Sequence, residues 1–273
     1  MGIINATPDS FSGDGVLAAQ DVVETAVAQA LQFVADGADI LDIGGESTRP
    51  GSQPITPEDE TARILPIIKA IRQAVDVPIS VDTYRADVAR AALEAGADWI
   101  NDVWGLRMDD GMAALVAEKG CPLVIMHNRS QPKDVIQIEK LGGMYQGAEY
   151  DDLFADIIAD LQVSIDLALA AGVEKSQIII DPGIGFGKSR TQNMQLIDEL
   201  DRFKVMGYPI LLGPSRKSFI GYTLDLPPEE RVEGTAVTIT IGIDRGADIV
   251  RVHDVKEMAR VAKMTDAIVR HSS

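Results

Sequence analysis

The sequence predicts a single-domain (β/α)8 barrel, the TIM barrel fold, over residues 1–273. Two observations predict it. A Gly-Ala-Asp phrase recurs in residues 35–41, 94–100 and 244–250, each time after a helix-like stretch and before a short apolar run. Such a phrase is typical of a helix that ends at a glycine, followed by a tight turn and a buried strand. The second observation is the regular alternation of apolar runs with amphipathic segments along the whole chain.

The apolar runs are continuous, as expected for parallel strands covered on both faces by other elements. Of the segments between them, the clearest helix extends from Phe154 to Leu169, with apolar residues at helical spacing. Eight strands and eight helices favour a closed barrel, and an open doubly wound sheet is the alternative because periodicity does not show closure. The predicted strands are residues 2–5, 40–44, 79–82, 99–103, 123–126, 178–181, 210–213 and 249–252.

Length and composition fit this fold. The chain has 273 residues, of which 46% are hydrophobic, and barrels of this class run to about 250 residues as one domain. A net charge of −17 argues against nucleic acid or an anionic membrane as partner. The single cysteine, Cys121, lies in an apolar run and is interpreted as a buried hydrophobic residue. Because no leader or long apolar run is visible, we expect a cytoplasmic protein.

Polar residues follow nearly every predicted strand. In (β/α)8 barrels the catalytic groups gather at the carboxyl ends of the strands. Taken singly, Asp82 or Asp181 could cap a following helix, Asn101 could bridge a turn, and His127 could be a packed neutral imidazole. Together they predict one functional site at one mouth of the barrel. The strand-end residues are Asn5, Glu46, Asp82, Asn101, His127, Asp181, Lys217, Arg251 and His253.

The residue types point to a ligand with two characters. Asp82, Asn101 and Asp181 can pair with the donors and acceptors of a flat, nitrogen-rich heterocycle such as a pterin or guanine. Cations at the same mouth, among them Arg49 and Arg251, suit an anion through charge-assisted hydrogen bonds. The sequence therefore predicts a site for a heterocycle that carries an anionic group.

Other chemistries fit less well. Gly187-Lys188-Ser189 resembles the end of a phosphate-binding P-loop, but the opening glycine of that motif would fall at Pro182. Three histidines in the whole chain offer no Ser-His-Asp arrangement and no His-x-His metal motif. Asn5 and the strand-end carboxylates could support Mg2+ that bridges phosphates, because this metal prefers oxygen ligands.

Seven segments, in order, resemble the dihydropteroate synthase family of pterin-binding barrels: residues 5–12, 42–51, 81–83, 100–102, 181–188, 215–218 and 251–253. The resemblance implies a transferase in which 4-aminobenzoate displaces diphosphate from 6-hydroxymethyl-7,8-dihydropterin diphosphate. The product would be 7,8-dihydropteroate, an intermediate of folate biosynthesis, formed without a covalent enzyme intermediate. Mg2+ would be the cofactor, and the family implies a homodimer.

The resemblance also implies a role for each matched residue. The pterin would be bound by Asp82, Asn101, Met126, Asp181, Lys217 and Arg251. The diphosphate would be bound by Asn5, Thr48, Arg49, Arg251 and His253, with Asn5 as the metal ligand. The 4-aminobenzoate pocket would be formed by Thr48, Pro50, Phe186, Lys217 and Ser218. Two loops would close over the site, the first through Asp9, Phe11 and Ser12. The residues expected to carry catalysis are Asp82, Asp181, Lys217 and Arg251.

Two alternatives stay open at this point. A pterin-binding methyltransferase barrel shares the carboxylates and Asn101, but it has no use for the segments at 45–51 and 215–218. A non-catalytic pterin-binding homologue would bind the pterin diphosphate without releasing diphosphate. Every matched polar position is filled in this chain, which argues against the non-catalytic homologue.

Overall fold

A computed structural model describes residues 1–6, 19–47, 52, 54–131, 135–138, 140–145 and 147–270. Within them, eight parallel strands close into a ring. Strands β1 to β5 and β8 form one sheet, and β9 pairs with β10. Bridges from Ile180 to Ile210 and from Gly2 to Val252 join the two sheets into a barrel. The closed barrel is confirmed, and the open doubly wound sheet is wrong. The strands are β1 Gly2–Asn5, β2 Leu41–Gly44, β3 Ile79–Asp82, β4 Trp99–Asp102, β5 Leu123–Met126, β6 Val135–Ile138, β7 Gly142–Tyr145, β8 Ile178–Asp181, β9 Leu211–Leu212 and β10 Ile249–Val250.

Helices separate the barrel strands, and α7 is a short addition between β9 and α8. None of the described helices combines the length and apolar character needed to span a bilayer. The predicted helix from Phe154 to Leu169 is confirmed, although Leu169 itself is exposed. The α-helices are α1 Ala19–Ala35, α2 Pro57–Ala74, α3 Ala86–Glu94, α4 Gly111–Lys119, α5 Leu153–Ala170, α6 Arg190–Asp198, α7 Ser218–Leu224, α8 Val232–Asp244 and α9 Val255–Val269.

The glycine of each repeated phrase ends a helix, as predicted. Its φ is +101° at Gly37, +116° at Gly96 and +103° at Gly246. A side chain is strained in this left-handed region, so glycine allows the chain to leave the helix and turn at once into the next strand. The repeat is therefore a device for turning the chain at the amino-terminal end of the barrel.

The alternation of side chains along each strand places the polar residues inside the barrel. In β3, Ile79 and Val81 belong to the core between strands and helices, whereas Ser80 and Asp82 are on the opposite face. Strand register then aligns the last inward-facing residues. Asn5 lies opposite Gly44, Gly44 opposite Asp82, and Asp82 opposite Asn101. The functional residues thus share one layer at the carboxyl ends of the strands.

An antiparallel hairpin, β6–β7, was not predicted from the sequence. It follows β5 and lies outside the ring of barrel strands. Its strands are four residues each, and β7 begins with Gly142 and Gly143. Short strands with paired glycines carry little of the alternation that marks a strand in sequence.

Candidate active site

A cleft of about 340 Å³ opens at the carboxyl ends of the strands. Side chains from the strand ends, from the loops after β8 and β9, and from the hairpin line it. Eight of the sequence-predicted residues meet here. They are Asn5, Glu46, Asp82, Phe186, Lys217, Ser218, Arg251 and His253.

Arg251 forms ion pairs with two carboxylates at the bottom of the cleft. Its Nη2 donates to Asp82 Oδ2 at 2.6 Å, and its Nε donates to Asp42 Oδ2 at 2.5 Å. The same Asp42 oxygen accepts from Asn101 Nδ2 at 3.2 Å, and Asp42 is fully buried. One arginine therefore holds two carboxylates from neighbouring strands in fixed positions. This geometry leaves the remaining edge of Asp82 facing the cleft.

Burial and charge act against each other in this cluster. Burial raises the pKa of Asp82 to about 7, although the Arg251 guanidinium opposes the rise. Burial alone would lower the pKa of Arg251, but Asp42 and Asp82 raise it above its ordinary value. The arginine therefore stays charged at all ordinary pH values.

Asp181 and Lys217 occupy the opposite side of the mouth. The Asp181 carboxylate accepts from Gly183 N at 2.7 Å, and burial raises its pKa while Lys217 opposes the rise. Lys217 Nζ lies 4.0 Å from the centre of the Phe186 ring, and burial lowers its pKa to about 8. A β-carbon at Gly185 would lie 2.9 Å from Lys217 Cδ, so this glycine makes room for the lysine. The result is a cation held against an aromatic wall.

The buried residues Lys188 and His127 form a series of polar contacts that ends at the half-buried Asp160. Lys188 Nζ lies 2.9 Å from His127 Nδ1 and donates to the Phe186 carbonyl at 3.0 Å. His127 Nε2 lies 3.0 Å from Asp160 Oδ2. Burial lowers the pKa of His127 to about 2, so the imidazole is neutral, as one interpretation of the sequence had it. These contacts hold the loop from Asp181 to Lys188 in place.

Other predicted residues lie beside the cleft or outside the described residues. Asn101, Met126 and Asp181 are buried next to the lining, with Met126 packed against Phe186. The amide of His253 donates to Ser215 Oγ at 3.1 Å. Six predicted residues lie outside the part of the chain that the structure describes: Asp9, Phe11, Ser12, Thr48, Arg49 and Pro50.

The structural alternatives for Asp82, Asn101 and Asp181 are wrong. Asp82 does not cap α3, whose N-cap position is Arg85, and Asn101 binds Asp42 in the barrel and does not bridge a turn. Asp181 caps the turn at Gly183 but not α6, whose N-cap is Ser189. These side chains face the mouth because strand alternation, and not helix capping, sets their direction.

Two participants, Asp42 and Arg231, were not predicted from the sequence. Asp42 is a carboxylate inside an otherwise apolar strand, which is a signal for a buried cation partner. The strand-end residue Glu46, in contrast, was predicted. Glu46 lines the cleft and forms an ion pair with Arg85, which also binds the buried Glu60. Arg231 lies at the start of α8 and lines the cleft, and no motif around it indicates a function.

Known proteins resemble this chain over nearly its whole length. Residues 1–253 match the family described as pterin binding enzyme, and the chain belongs to that family. A dihydropteroate synthase of Clostridium beijerinckii is 50% identical over 271 residues, which are 99% of this chain and 94% of that protein. Within the family, the chain therefore belongs to the dihydropteroate synthases.

Two solved structures are similar over nearly the whole chain. A dihydropteroate synthase from Clostridium difficile, solved in the presence of pteroic acid, has a TM-score of 0.89 and 46% identity, with 98% of this chain and 95% of that chain covered. One from Xanthomonas albilineans, solved with 4-aminobenzoic acid, has a TM-score of 0.88 and 40% identity, with 98% and 91% covered. The predicted fold class and enzyme class are confirmed.

Proposed function

We propose that this enzyme joins 4-aminobenzoate to 6-hydroxymethyl-7,8-dihydropterin diphosphate, giving 7,8-dihydropteroate and diphosphate. The proposal rests mainly on one observation. Arg251 donates hydrogen bonds to both Asp82 and Asp42 at the bottom of the cleft. Fixed carboxylates beside a cation suit a heterocycle that bears an anionic leaving group. One solved relative was crystallised in the presence of pteroic acid, the oxidised form of this product, and the other with 4-aminobenzoic acid, one of the two substrates.

The pterin would lie against the polar layer at the strand ends. Asp82, Asn101 and Asp181 offer acceptors and a donor for its ring nitrogens, and Met126 offers an apolar surface. Lys217 would contact the ring from the Phe186 side. Since these groups are buried and already hydrogen-bonded, they would orient the ring with little reorganisation.

The reaction needs no nucleophilic side chain. The 4-aminobenzoate nitrogen forms a bond to the pterin methylene carbon as the C–O bond breaks, diphosphate leaves with the bonding electrons, and the amine loses a proton. Electron donation from the pterin ring stabilises positive charge at the methylene as the bond breaks. Anionic Asp181 would favour that charge, and Arg251 and His253 would stabilise the departing anion. Phe186 and Ser218 would line the 4-aminobenzoate pocket.

We also propose that Asn5 contributes an oxygen ligand to Mg2+. Asn5 lines the cleft, and none of the described residues forms a hydrogen bond with its side-chain amide. No group of three acidic, histidine or cysteine side chains among the described residues could form a cage. This donor set fits a metal that keeps several waters and binds mainly to substrate phosphates. When bound, Mg2+ would neutralise charge on the diphosphate.

Asn5→Ala is expected to weaken Mg2+ binding by about tenfold or more when inorganic diphosphate is present, because an oxygen ligand is lost. Isothermal titration of Mg2+ into the diphosphate-loaded protein measures this directly. Removal of Mg2+ with a chelator is expected to stop turnover of the unmodified enzyme. Equal Mg2+ affinity in the variant and the unmodified enzyme would contradict the role of Asn5.

The pH profile of kcat/KM is expected to be bell-shaped, with its maximum between about 7 and 8. Activity rises as Asp82, with its pKa raised to about 7, loses its proton, and falls as Lys217, with its pKa lowered to about 8, becomes neutral. Lys217→Arg should remove the alkaline limb, because arginine stays protonated. A flat profile across that range would contradict these assignments.

One assay tests the proposed reaction. The protein is mixed with the pterin diphosphate, Mg2+ and 4-aminobenzoate, and both diphosphate and dihydropteroate are measured. Equal amounts of the two products are expected. Diphosphate without dihydropteroate would mean hydrolysis, and neither product would mean that the barrel only binds its ligand. Either result would contradict the proposed function.

We further propose that the enzyme is a homodimer that associates through an apolar groove between α6, α7 and α8. The groove is lined by exposed apolar residues, among them Met194, Leu224, Val237 and Ile241. A contiguous apolar surface of this kind is unusual on a monomer and is typical of an interface. A second copy of the chain would cover the same helices on both partners.

Val237→Glu is expected to weaken the dimer by more than about a hundredfold, because a charge would be buried in an apolar contact. Val237 is 59% exposed in the single chain, and the matched control is Val163→Glu on α5, where the valine is 57% exposed. Sedimentation velocity over a range of concentrations measures the change. Dissociation of both variants, or of neither, would contradict the proposed interface.

A further inference from the structure

The β6–β7 hairpin forms part of the cleft wall, although it lies outside the barrel. Leu141, Gly142 and Gly143 line the cleft together with Ser218 and Phe186. These last two residues belong to the side at which we propose that 4-aminobenzoate binds. Gly142 also accepts a hydrogen bond from Tyr222 on α7, the helix that begins with Ser218, so the hairpin lies on the 4-aminobenzoate side of the cleft.

Arg231 connects the hairpin to the barrel. Its side chain donates to the carbonyls of Leu141 at 2.9 Å, Arg216 at 2.9 Å and Leu226 at 3.0 and 3.1 Å. It is 2% exposed, and none of the carboxylates in the described ranges forms an ion pair with it. Because the hydrogen bonds of this buried arginine go to backbone carbonyls of three different segments, its side chain holds these segments together. Those segments are the hairpin turn, the loop after β9 and the end of α7.

Two neighbouring residues of α7, Gly221 and Tyr222, support this role of Arg231. A β-carbon at Gly221 would lie 2.1 Å from Arg231 Nη2, so only glycine leaves room for the guanidinium against α7. The Tyr222 hydroxyl donates to the Gly142 carbonyl at 3.3 Å, which gives the hairpin a second attachment to the same helix. An exposed ion pair between Lys140 and Asp225, at 2.6 Å, adds a third contact of small energy.

We infer that the β6–β7 hairpin is the outer wall of the 4-aminobenzoate end of the cleft, and that Arg231 is the positioning residue that holds this wall in place. The inference rests on the proposed function. Gly142 and Gly143 present backbone to the cleft, so the wall is shaped by where the hairpin is held. Because a preordered wall lowers the entropy cost of binding, loosening it weakens affinity for the substrate that contacts it. The pterin diphosphate would be bound mainly by the strand ends, with Lys217 as its one contact in the loop that Arg231 also holds, so its affinity changes much less.

Arg231→Lys tests the inference, because lysine keeps the charge but cannot reach three carbonyls with one planar group. We expect the KM for 4-aminobenzoate to rise about tenfold and the KM for the pterin diphosphate to change less than about twofold. Tyr222→Phe, a milder change, should raise only the first KM, by about threefold. Arg245→Lys, at an exposed arginine after α8, is the matched control and should change neither.

Hydrogen exchange of the hairpin amides gives an independent reading. Residues 140–145 should exchange faster in Arg231→Lys and Tyr222→Phe than in the unmodified enzyme. Equal rises in both KM values, unchanged KM values, or unchanged exchange in the hairpin would overturn the inference. Unmodified enzyme that forms no dihydropteroate would instead contradict the proposed function on which the inference rests, and so both proposals.

Discussion

Arg251→Met is expected to lower kcat/KM for the pterin diphosphate by about a thousandfold or more. The guanidinium contacts Asp42 and Asp82 at 2.5 and 2.6 Å, and both carboxylates lose their only cationic contact in the described structure. Removal of one member of a buried charge cluster costs about 3–5 kcal/mol, and about 4 kcal/mol corresponds to three orders of magnitude in rate. Without the Arg251 guanidinium to oppose the effect of burial, the pKa of Asp82 would rise further, and Asp82 would lose its role as an anionic acceptor.

The same substitution is expected to lower the melting temperature, so binding and folding must be measured separately. Arg251→Lys keeps a positive charge but cannot bridge two carboxylates, and it should lose less activity than the methionine variant. Arg245→Met removes an exposed arginine that pairs with Asp198 and Asp244, and it should leave turnover unchanged. Stopped-flow measurement of a single turnover and thermal unfolding provide the two readings. Retention of more than about a tenth of the activity in Arg251→Met would contradict its central position in the site.

The barrel was predictable because its strands are continuous apolar runs and its turns repeat one phrase. The predicted boundaries agree within a few residues, and the differences concern strand ends such as Val103 and Gly213. Closure could not be read from periodicity, since it depends on the pairing of the first strand with Val252, at the far end of the chain. The hairpin escaped detection because its form depends on contacts with Arg231 and Tyr222, which are distant in sequence.

The candidate site was predictable where function and strand alternation coincide. Asp82 and Arg251 are polar residues at the ends of apolar strands, and the structure brings them into contact. Asp42 has the same character but lies within its strand, so its partner is visible only when the register is known. The contacts that link Lys188 through His127 to Asp160 could not be predicted, because Asp160 is on a helix whose sequence indicates only amphipathicity. The sequence thus indicates the strand-end residues that would contact the substrate. The residues that hold them in place can be identified only from the three-dimensional packing.

Asp181→Asn is expected to lower kcat by about a hundred- to a thousandfold while the KM for the pterin diphosphate changes little. The amide keeps the volume of the side chain, and its oxygen can still accept from Gly183 N, so the turn should persist. The negative charge is lost, and with it the stabilisation of positive charge on the pterin as diphosphate leaves. Presteady-state measurement of diphosphate release reports this step.

The effect of Asp181→Asn separates charge from geometry. Asp152→Asn is the matched control, because Asp152 also accepts backbone N–H groups, at 3.0 Å, but does so at the exposed start of α5. Burial raises the pKa of Asp181 above its ordinary value, so protonation should mimic the variant as the pH falls. The rate of the unmodified enzyme should therefore approach that of Asp181→Asn at acidic pH, and the variant should lose that part of the pH dependence. An equal loss at all pH values, with a raised KM, would instead mean that Asp181 only holds the pterin in place.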